Sequence, residues 1–479
     1  MIIAATRAAK FSIATQVATR GLNLGLSILL VRLASKESVG YYTLLIASAQ
    51  LICTLGRIGT NYSYAVLLPQ QTSTNEINKL TSTYSITSLA TSAIIAIFAI
   101  WQLNKSGGIP SYLLEKITPI NILTFTYLLS DSLSETIWSI HLAKGKFKYV
   151  FLRDVWVALS KGTLPLIGCL ILGPIGILLG LGVTSFLNCG IAIRMLYPKI
   201  IEDDLGKTNR SILNITYYHF SKLRTLCAKG LPFFSVPLAT NMILWPILLN
   251  YVNTEGLNNL DGLRIAQICA QSLGLISGSL MPVLLIKSSE NQLSGKLLNQ
   301  QSFKVCWLLS IIIFSLFTLL DTNLLPFIFG SASGGAISLA RIFVLAAGVQ
   351  GLSQIPLQRP MPTKMLVRIS MLQVVSLIAA ALIMIVVPNI QNGLIAYSSI
   401  TLISPLLTII FLPALLGEKL ISGNDNNAPE LIISSILLIT CYQNRTEPIL
   451  MVLILGGLLA TLIKNREFML QTIRKFVRA

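Results

Sequence analysis

The chain of 479 residues is 53% hydrophobic and only 11% charged, with a formal net charge of +18. Ordinary soluble domains carry about 25% charged residues, so this chain cannot coat a water-soluble surface of its size, and lipid must solvate much of it. The basic excess would suggest nucleic acid in a soluble protein. Its distribution here argues instead for basic loops on one side of a membrane and no nucleic-acid partner.

Apolar runs of about 20 residues, long enough to cross a bilayer, recur along the chain. They predict about fourteen spans, near 11–31, 40–68, 82–103, 117–141, 154–172, 175–196, 230–252, 263–286, 305–328, 335–357, 369–388, 393–415, 430–443 and 447–463. The last two are short. The fold expected is an all-α polytopic membrane protein with two pseudo-symmetric six-helix lobes and an extra C-terminal helix pair. Residues 1–196 form the first lobe and 230–415 the second. A basic, partly amphipathic cytoplasmic linker, 197–229, joins them, and 416–479 hold the extra pair and a basic cytoplasmic tail. The first apolar run is too long for a cleavable leader and no small-residue cleavage site follows it.

Charge sets the expected orientation. With the N-terminus in the cytoplasm, only Arg32, Lys36, Lys105, Lys116, Arg264 and Arg445 of the 36 basic residues lie on the far side. Arg20, Arg57, Lys161 and Arg341 fall inside spans, and the rest face the cytoplasm. This bias predicts a multi-pass protein of the cell inner membrane with both termini cytoplasmic. The halves read as a parallel duplication. An offset of about 222 residues carries Gly40 onto Gly262 and Glu37-Ser38-Val39-Gly40 onto Asn259-Leu260-Asp261-Gly262. Transporters built from two such halves hold their substrate between them.

Ionisable groups at membrane depth are costly and persist where they face a cavity or a partner. Here they are Arg20, Arg57, Lys161 and Arg341, against Asp131 and Glu135. Lys161 lies near enough to a span end to snorkel, and Arg341 is near a span end as well. Polar stripes accompany the cations. Gln16, Arg20, Asn23 and Ser27 share one helix face, as do Gln50, Thr54, Arg57 and Asn61, and Gln267, Gln271, Gly274 and Gly278. Several such stripes predict a wet cavity lined in common, although interhelical hydrogen bonding explains the glutamines and serines equally well. Asp131 and Glu135 share a face at i, i+4. They either pair with buried cations or bind a coupling H+ or Na+.

Trp101, Trp138, Trp156 and Trp307 fall near span ends, as an interfacial belt requires, whereas Trp245 lies well inside its span beside Pro246. Pro232, Pro237 and Pro246 interrupt the seventh span and allow bending. The seven cysteines lie in apolar runs without metal spacing, and His141 and His219 border basic segments. No metal site, catalytic constellation or cofactor motif is expected, and no GxxxxGK[ST] phosphate loop occurs.

Three segments resemble Wzx-type polysaccharide flippases. They are Arg32-Leu33-Ala34-Ser35-Lys36-Glu37-Ser38-Val39-Gly40-Tyr41-Tyr42 after the first span, Gly230-Leu231-Pro232-Phe233 opening the seventh, and Leu324-Leu325-Pro326-Phe327-Ile328-Phe329-Gly330. That family belongs to a superfamily that also holds multidrug extruders and the lipid II flippase. The resemblance implies a V-shaped, alternating-access bundle and no enzyme activity. It implies as substrate an undecaprenyl-diphosphate-linked oligosaccharide, the repeat unit of O-antigen or capsule, flipped from the cytoplasmic to the outer leaflet. Polymerase and chain-length proteins of the same pathway are the further partners implied, beside membrane lipid. Arg20, Arg57, Lys161 and Arg341 match the family's cationic cavity. Asn250 and Asn253 stand where many relatives carry an acidic-basic pair. Two rival readings differ in their demands. An ion-coupled multidrug exporter prefers an acidic cavity, and a membrane polysaccharide polymerase or ligase needs a large outer loop with reactive groups.

Overall fold

In lipid no water satisfies backbone N–H and C=O groups, so each crossing segment must close its own hydrogen bonds as a helix. The structure, a computed structural model, describes residues 2–71, 73–110, 117–143, 147–202, 218–271, 292–330, 336–357, 363–386 and 393–416. The expected spans 430–443 and 447–463 lie outside these residues, as do residues 203–217 of the expected linker, whose two ends are helical.

In chain order the helices are α1 Ile2–Leu33, α2 Lys36–Leu55, α3 Thr60–Leu67, α4 Thr74–Lys105, α5 Ile117–Ala143, α6 Phe147–Leu172, α7 Pro174–Glu202 and α8 Phe220–Glu255. They continue as α9, residues 261–271, α10 Gln292–Phe329, α11 Ile337–Gln354, α12 Thr363–Val386 and α13 Gly393–Leu416. Among the described residues, eight helices are long and apolar enough to cross a membrane, and a ninth is counted if α10, bent by 74° near Leu319, is one span. Helices α1 and α5 are 32 and 27 residues long but fall outside that set. Their inward polar residues, Arg20 and Asn23 in one and Asp131 and Glu135 in the other, dilute their apolar character.

Beside the bend in α10, one expected span is divided outright. The second, 40–68, is divided at residues 56–59 into α2 and α3. Ile58 and Gly59 both have positive φ there, 47° and 67°. Gly59 is required twice over, by its left-handed backbone and because a Cβ would collide with the Gly230 carbonyl of α8. The prolines of the seventh span do not break it, since α8 is continuous through Pro237 and Pro246.

Apolar side chains fill the core and also cover much of the outside, as a bundle solvated by lipid requires. Large apolar residues face outward, among them Ile97 and Phe98 on α4, Ile171 on α6, Phe186 on α7 and Ile385 on α12. The inside of the first half is hydroxyl-rich. Ser88 meets Thr136 at 2.8 Å, Ser92 meets Ser132 at 2.6 Å and Tyr84 meets Ser139 at 2.5 Å, joining α4 to α5. Small hydroxyl residues let helices approach closely and hydrogen-bond in a medium that supplies no water. Within the first half α6 lies against α1 and α7, and α5 against α4 and α7. In the second, α11, α12 and α13 pack together and α12 and α13 lie on α8.

Candidate functional site

The halves meet at two ends of the bundle. At one end Gly40 of α2 abuts the Leu257 carbonyl. Lys36 approaches Asp261 at 3.8 Å, and Arg264 donates to the Ser27 hydroxyl at 2.7 Å. The Arg264 guanidinium also lies 5.1 Å above the Tyr42 ring. Arg32 of α1 reaches the Phe327 carbonyl. At the opposite end Gly59 abuts Gly230. Ser63 donates to the Leu226 carbonyl at 2.6 Å, the His219 N–H donates to Thr83 at 3.1 Å, and Lys222 pairs with Glu76 at 2.6 Å. Residues before 203 thus contact residues after 217 at both ends of the described bundle.

The first contact carries a pH prediction. Burial pushes the Asp261 carboxyl above its ordinary value, against the Gly262 N–H and the Lys36 charge, which pull it down. A raised carboxyl is neutralised at milder acidity, so the attraction to the exposed Lys36 is lost earlier than for an ordinary aspartate. Spin labels placed across this end should show a broader distance distribution as the medium is acidified, at a milder pH than an ordinary aspartate requires, and no such change in Asp261→Asn.

Between these ends lie the cations singled out in the sequence. Arg20, half-buried on α1, donates to the Gln271 carbonyl of α9 at 3.4 Å. Arg57, also half-buried, sits in the α2–α3 break, two residues from the Gly59–Gly230 contact. Its Nε donates to the Cys53 carbonyl at 2.5 Å, and no carboxylate among the described residues pairs with it. Arg20 thus reaches across the seam between the halves, while Arg57 lies beside the seam, two residues from the Gly59–Gly230 contact, its own hydrogen bond reaching back into α2. At 1.5 Å of rise per residue, Arg57 is about 10 Å deeper from the Lys36 end than Arg20.

Lys161 and Asp131 form a pair inside the first half. The Lys161 ammonium is 2.6 Å from Asp131 Oδ1, and Ser185 donates to the same oxygen at 3.1 Å. Cys53 Sγ stands 3.9 Å from Oδ2. Glu135 takes a different partner, Arg153 of α6, which also contacts Asp154 and lies 5.7 Å over the Trp138 ring. Both acidic residues thus take basic partners, and the partners are Lys161 and Arg153, not the arginines of the seam.

Arg341 departs from the expectation of an open cavity charge. It is 4% exposed and makes a two-pronged pair with Asp321, which is fully buried. Two interfacial readings are also corrected. Trp138 is 3% exposed and His141 fully buried, their rings 5.0 Å apart. Of the polar stripes, Asn23, Asn61, Gln267 and Gln271 are half-buried and Gln50 is exposed. The Gln16 side chain, Gly274 and Gly278 lie outside the described residues.

The chain matches no family model and no curated protein sequence. Its fold is nonetheless similar to solved membrane transporters. It aligns with the lipid II flippase MurJ in an inward closed conformation with a TM-score of 0.60 and 15% identity, over 96% of this chain and 100% of that one. An outward-facing multidrug resistance MATE family transporter of the MOP superfamily aligns at 0.56 and 12%, over 92% and 97%. An inward-facing MATE structure aligns at 0.55 and 12%, over 91% and 99%. At such identities the likeness establishes the fold alone. The chain is therefore an all-helical, multi-pass membrane protein with the architecture shared by MurJ and MATE transporters.

Proposed function

We propose that this protein is a flippase that moves undecaprenyl-diphosphate-linked oligosaccharide repeat units, of O-antigen or capsule, from the cytoplasmic to the outer leaflet by alternating access. The observation that carries the proposal is Arg57. It is a half-buried guanidinium in a broken span, beside the seam between the halves, with no carboxylate partner among the described residues. A diphosphate supplies the charge such a group lacks, and guanidinium binds phosphate oxygens through paired hydrogen bonds. Arg20 lies on the same seam at a different depth, so the two serve as successive stations, and Lys161 is the third cation within reach of this region. Arg341 is left out, its charge being matched by Asp321. Half-buried Asn23, Asn61, Gln267 and Gln271 provide polar contacts for sugar hydroxyls.

Two further observations support the reading. Contacts at opposite ends of the bundle are what opening one end while holding the other requires. Arg264 and Tyr42, which stack, are related by the same offset of about 222 residues that aligns Gly40 with Gly262. Equivalent positions of two related halves meet where a pseudo-two-fold axis passes.

The fold alone is equally compatible with a multidrug exporter. A cationic drug requires an exposed acidic group, and here Asp131 and Glu135 already hold Lys161 and Arg153. Purified protein in liposomes should move a fluorescent lipid-linked oligosaccharide between leaflets and leave the distribution of a cationic dye unchanged. Dye efflux with no lipid movement would reverse the assignment.

A further inference from the structure

The Lys161–Asp131 pair differs from the other buried pairs in where its charges sit. The Asp131 side chain is 7% exposed and the Lys161 side chain 21%. The acid is enclosed while the base reaches accessible space. Helix α6, which carries Lys161, lies along α1, which carries Arg20, and the Tyr42 hydroxyl donates to the Lys161 carbonyl at 3.3 Å. Arg57, Asp131, Lys161 and Arg153 all fall within electrostatic reach of Cys53. Lys161 therefore stands between a buried carboxylate and the cationic seam.

Several buried polar atoms around Asp131 have no protein partner among the described residues. They are the Tyr127 hydroxyl, one turn before it on α5, Ser134 Oγ, one turn after it, and Asn188 Oδ1, one turn beyond Ser185 on α7. Tyr127 also lies within electrostatic reach of Asp131, Tyr42 and Cys53. Buried polar groups are rarely left unsatisfied, and such a cluster is a place for water to enter and deliver a proton. Around Asp131 stand Tyr127 and Glu135 on its own helix, Lys161 on α6 and Cys53 on α2, and Arg153, Arg57 and Tyr42 lie within electrostatic reach of Cys53 or Tyr127. From α7 come the neutral Ser185, which donates to Asp131, and Asn188 one turn on.

We infer that Lys161 is shared between Asp131 and the anionic substrate, so that loading a diphosphate draws the ammonium away and Asp131 takes up a proton in its place. This deepens the flippase reading and rests on it. An ionised carboxylate buried without its counter-charge is strongly disfavoured, and protonation relieves it. One proton leaves bulk water and bonds to an Asp131 oxygen. The loaded protein then gains one negative charge from a doubly charged diphosphate diester instead of two. Because the linkage is reciprocal, acidification also tightens substrate binding.

The test is proton uptake on binding, with the whole protein in detergent and a short-chain isoprenyl diphosphate N-acetylglucosamine as probe. Such a diester has no titratable phosphate near neutral pH. Calorimetry in buffers of different ionisation enthalpy counts protons per probe bound. The wild type should take up close to one. Asp131→Asn should bind the probe with none, and Lys161→Met, which has no ammonium to surrender to the probe, should also take up none. If Asp131→Asn does not fold, Lys161→Met and the double variant Asp131→Asn/Lys161→Met give the same reading. Binding by the wild type without proton uptake, or equal uptake in all variants, overturns the shared-cation inference and leaves the flippase reading intact. A wild type that fails to bind the probe sinks both.

Discussion

Asp321→Asn is expected to remove a large share of the protein's stability and lower the yield of folded protein sharply. Asp321 is fully buried and Arg341 is 4% exposed, with Arg341 Nη2 donating to Oδ1 at 2.6 Å and Nε to the second oxygen. A two-pronged guanidinium–carboxylate pair is among the stronger polar contacts. Its attraction largely offsets the cost of taking both charges out of solvent. Removing one partner strands the other, at about 3–5 kcal/mol. Typical total stabilities are about 5–15 kcal/mol. Expression yield and the thermal aggregation midpoint in detergent read the loss directly. The double variant Asp321→Leu/Arg341→Met removes both charges and keeps similar volume, so it should recover most of the midpoint. A single variant as stable as the wild type would show that the pair contributes nothing to the fold. If the double variant folds but no longer moves lipid, Arg341 regains the cavity role that the sequence suggested for it.

The helices were legible because composition and run length decide them. The runs at 82–103, 117–141 and 393–415 correspond to α4, α5 and α13 with only their ends displaced. The seam residues were partly legible too. Arg20 and Gln271 stood out as polar residues in apolar runs on helix faces, and the structure brings them together. What the sequence could not supply was partnership across distance. Arg153 reads as a loop cation and Asp321 as a span-end acid, and nothing local says that one meets Glu135 and the other Arg341. The division at 56–59 left a fainter signal. Gly56 and Gly59 flank Arg57 in an otherwise apolar run, but a glycine inside a membrane helix as often marks close packing as a break. Trp138 misled because Trp near a span end ordinarily belongs to the interface, whereas here it lies beneath the Arg153 guanidinium. The serines and threonines of α4 and α5 carried no sequence signal that set them apart. Ser88 with Thr136 and Ser92 with Ser132 resolve as glue.

Arg57→Ala and Arg20→Ala should each slow lipid movement at least tenfold without lowering the amount of protein in the membrane. A hydrogen bond to a charged group contributes about 1.5–3 kcal/mol, and about 1.4 kcal/mol is a factor of ten. One lost guanidinium contact therefore accounts for roughly a 10- to 100-fold loss. Arg57 should be the more sensitive of the two. Among the described residues its hydrogen bond is the Nε donation to the Cys53 carbonyl, which leaves its terminal nitrogens for a ligand, while Arg20 already donates an Nη1 hydrogen to the Gln271 carbonyl. Lysine at 57 keeps the charge but loses the planar fork, and should restore part of the rate. Glutamine keeps hydrogen bonding without charge and should not. That ordering, arginine above lysine above glutamine and alanine, separates phosphate binding from a packing role, for which glutamine would do better than lysine at a half-buried position. Initial rates of leaflet exchange for the labelled lipid-linked oligosaccharide, normalised to reconstituted protein, measure it. Wild-type rates in both alanine variants would remove the seam cations from the mechanism and the diphosphate from the substrate.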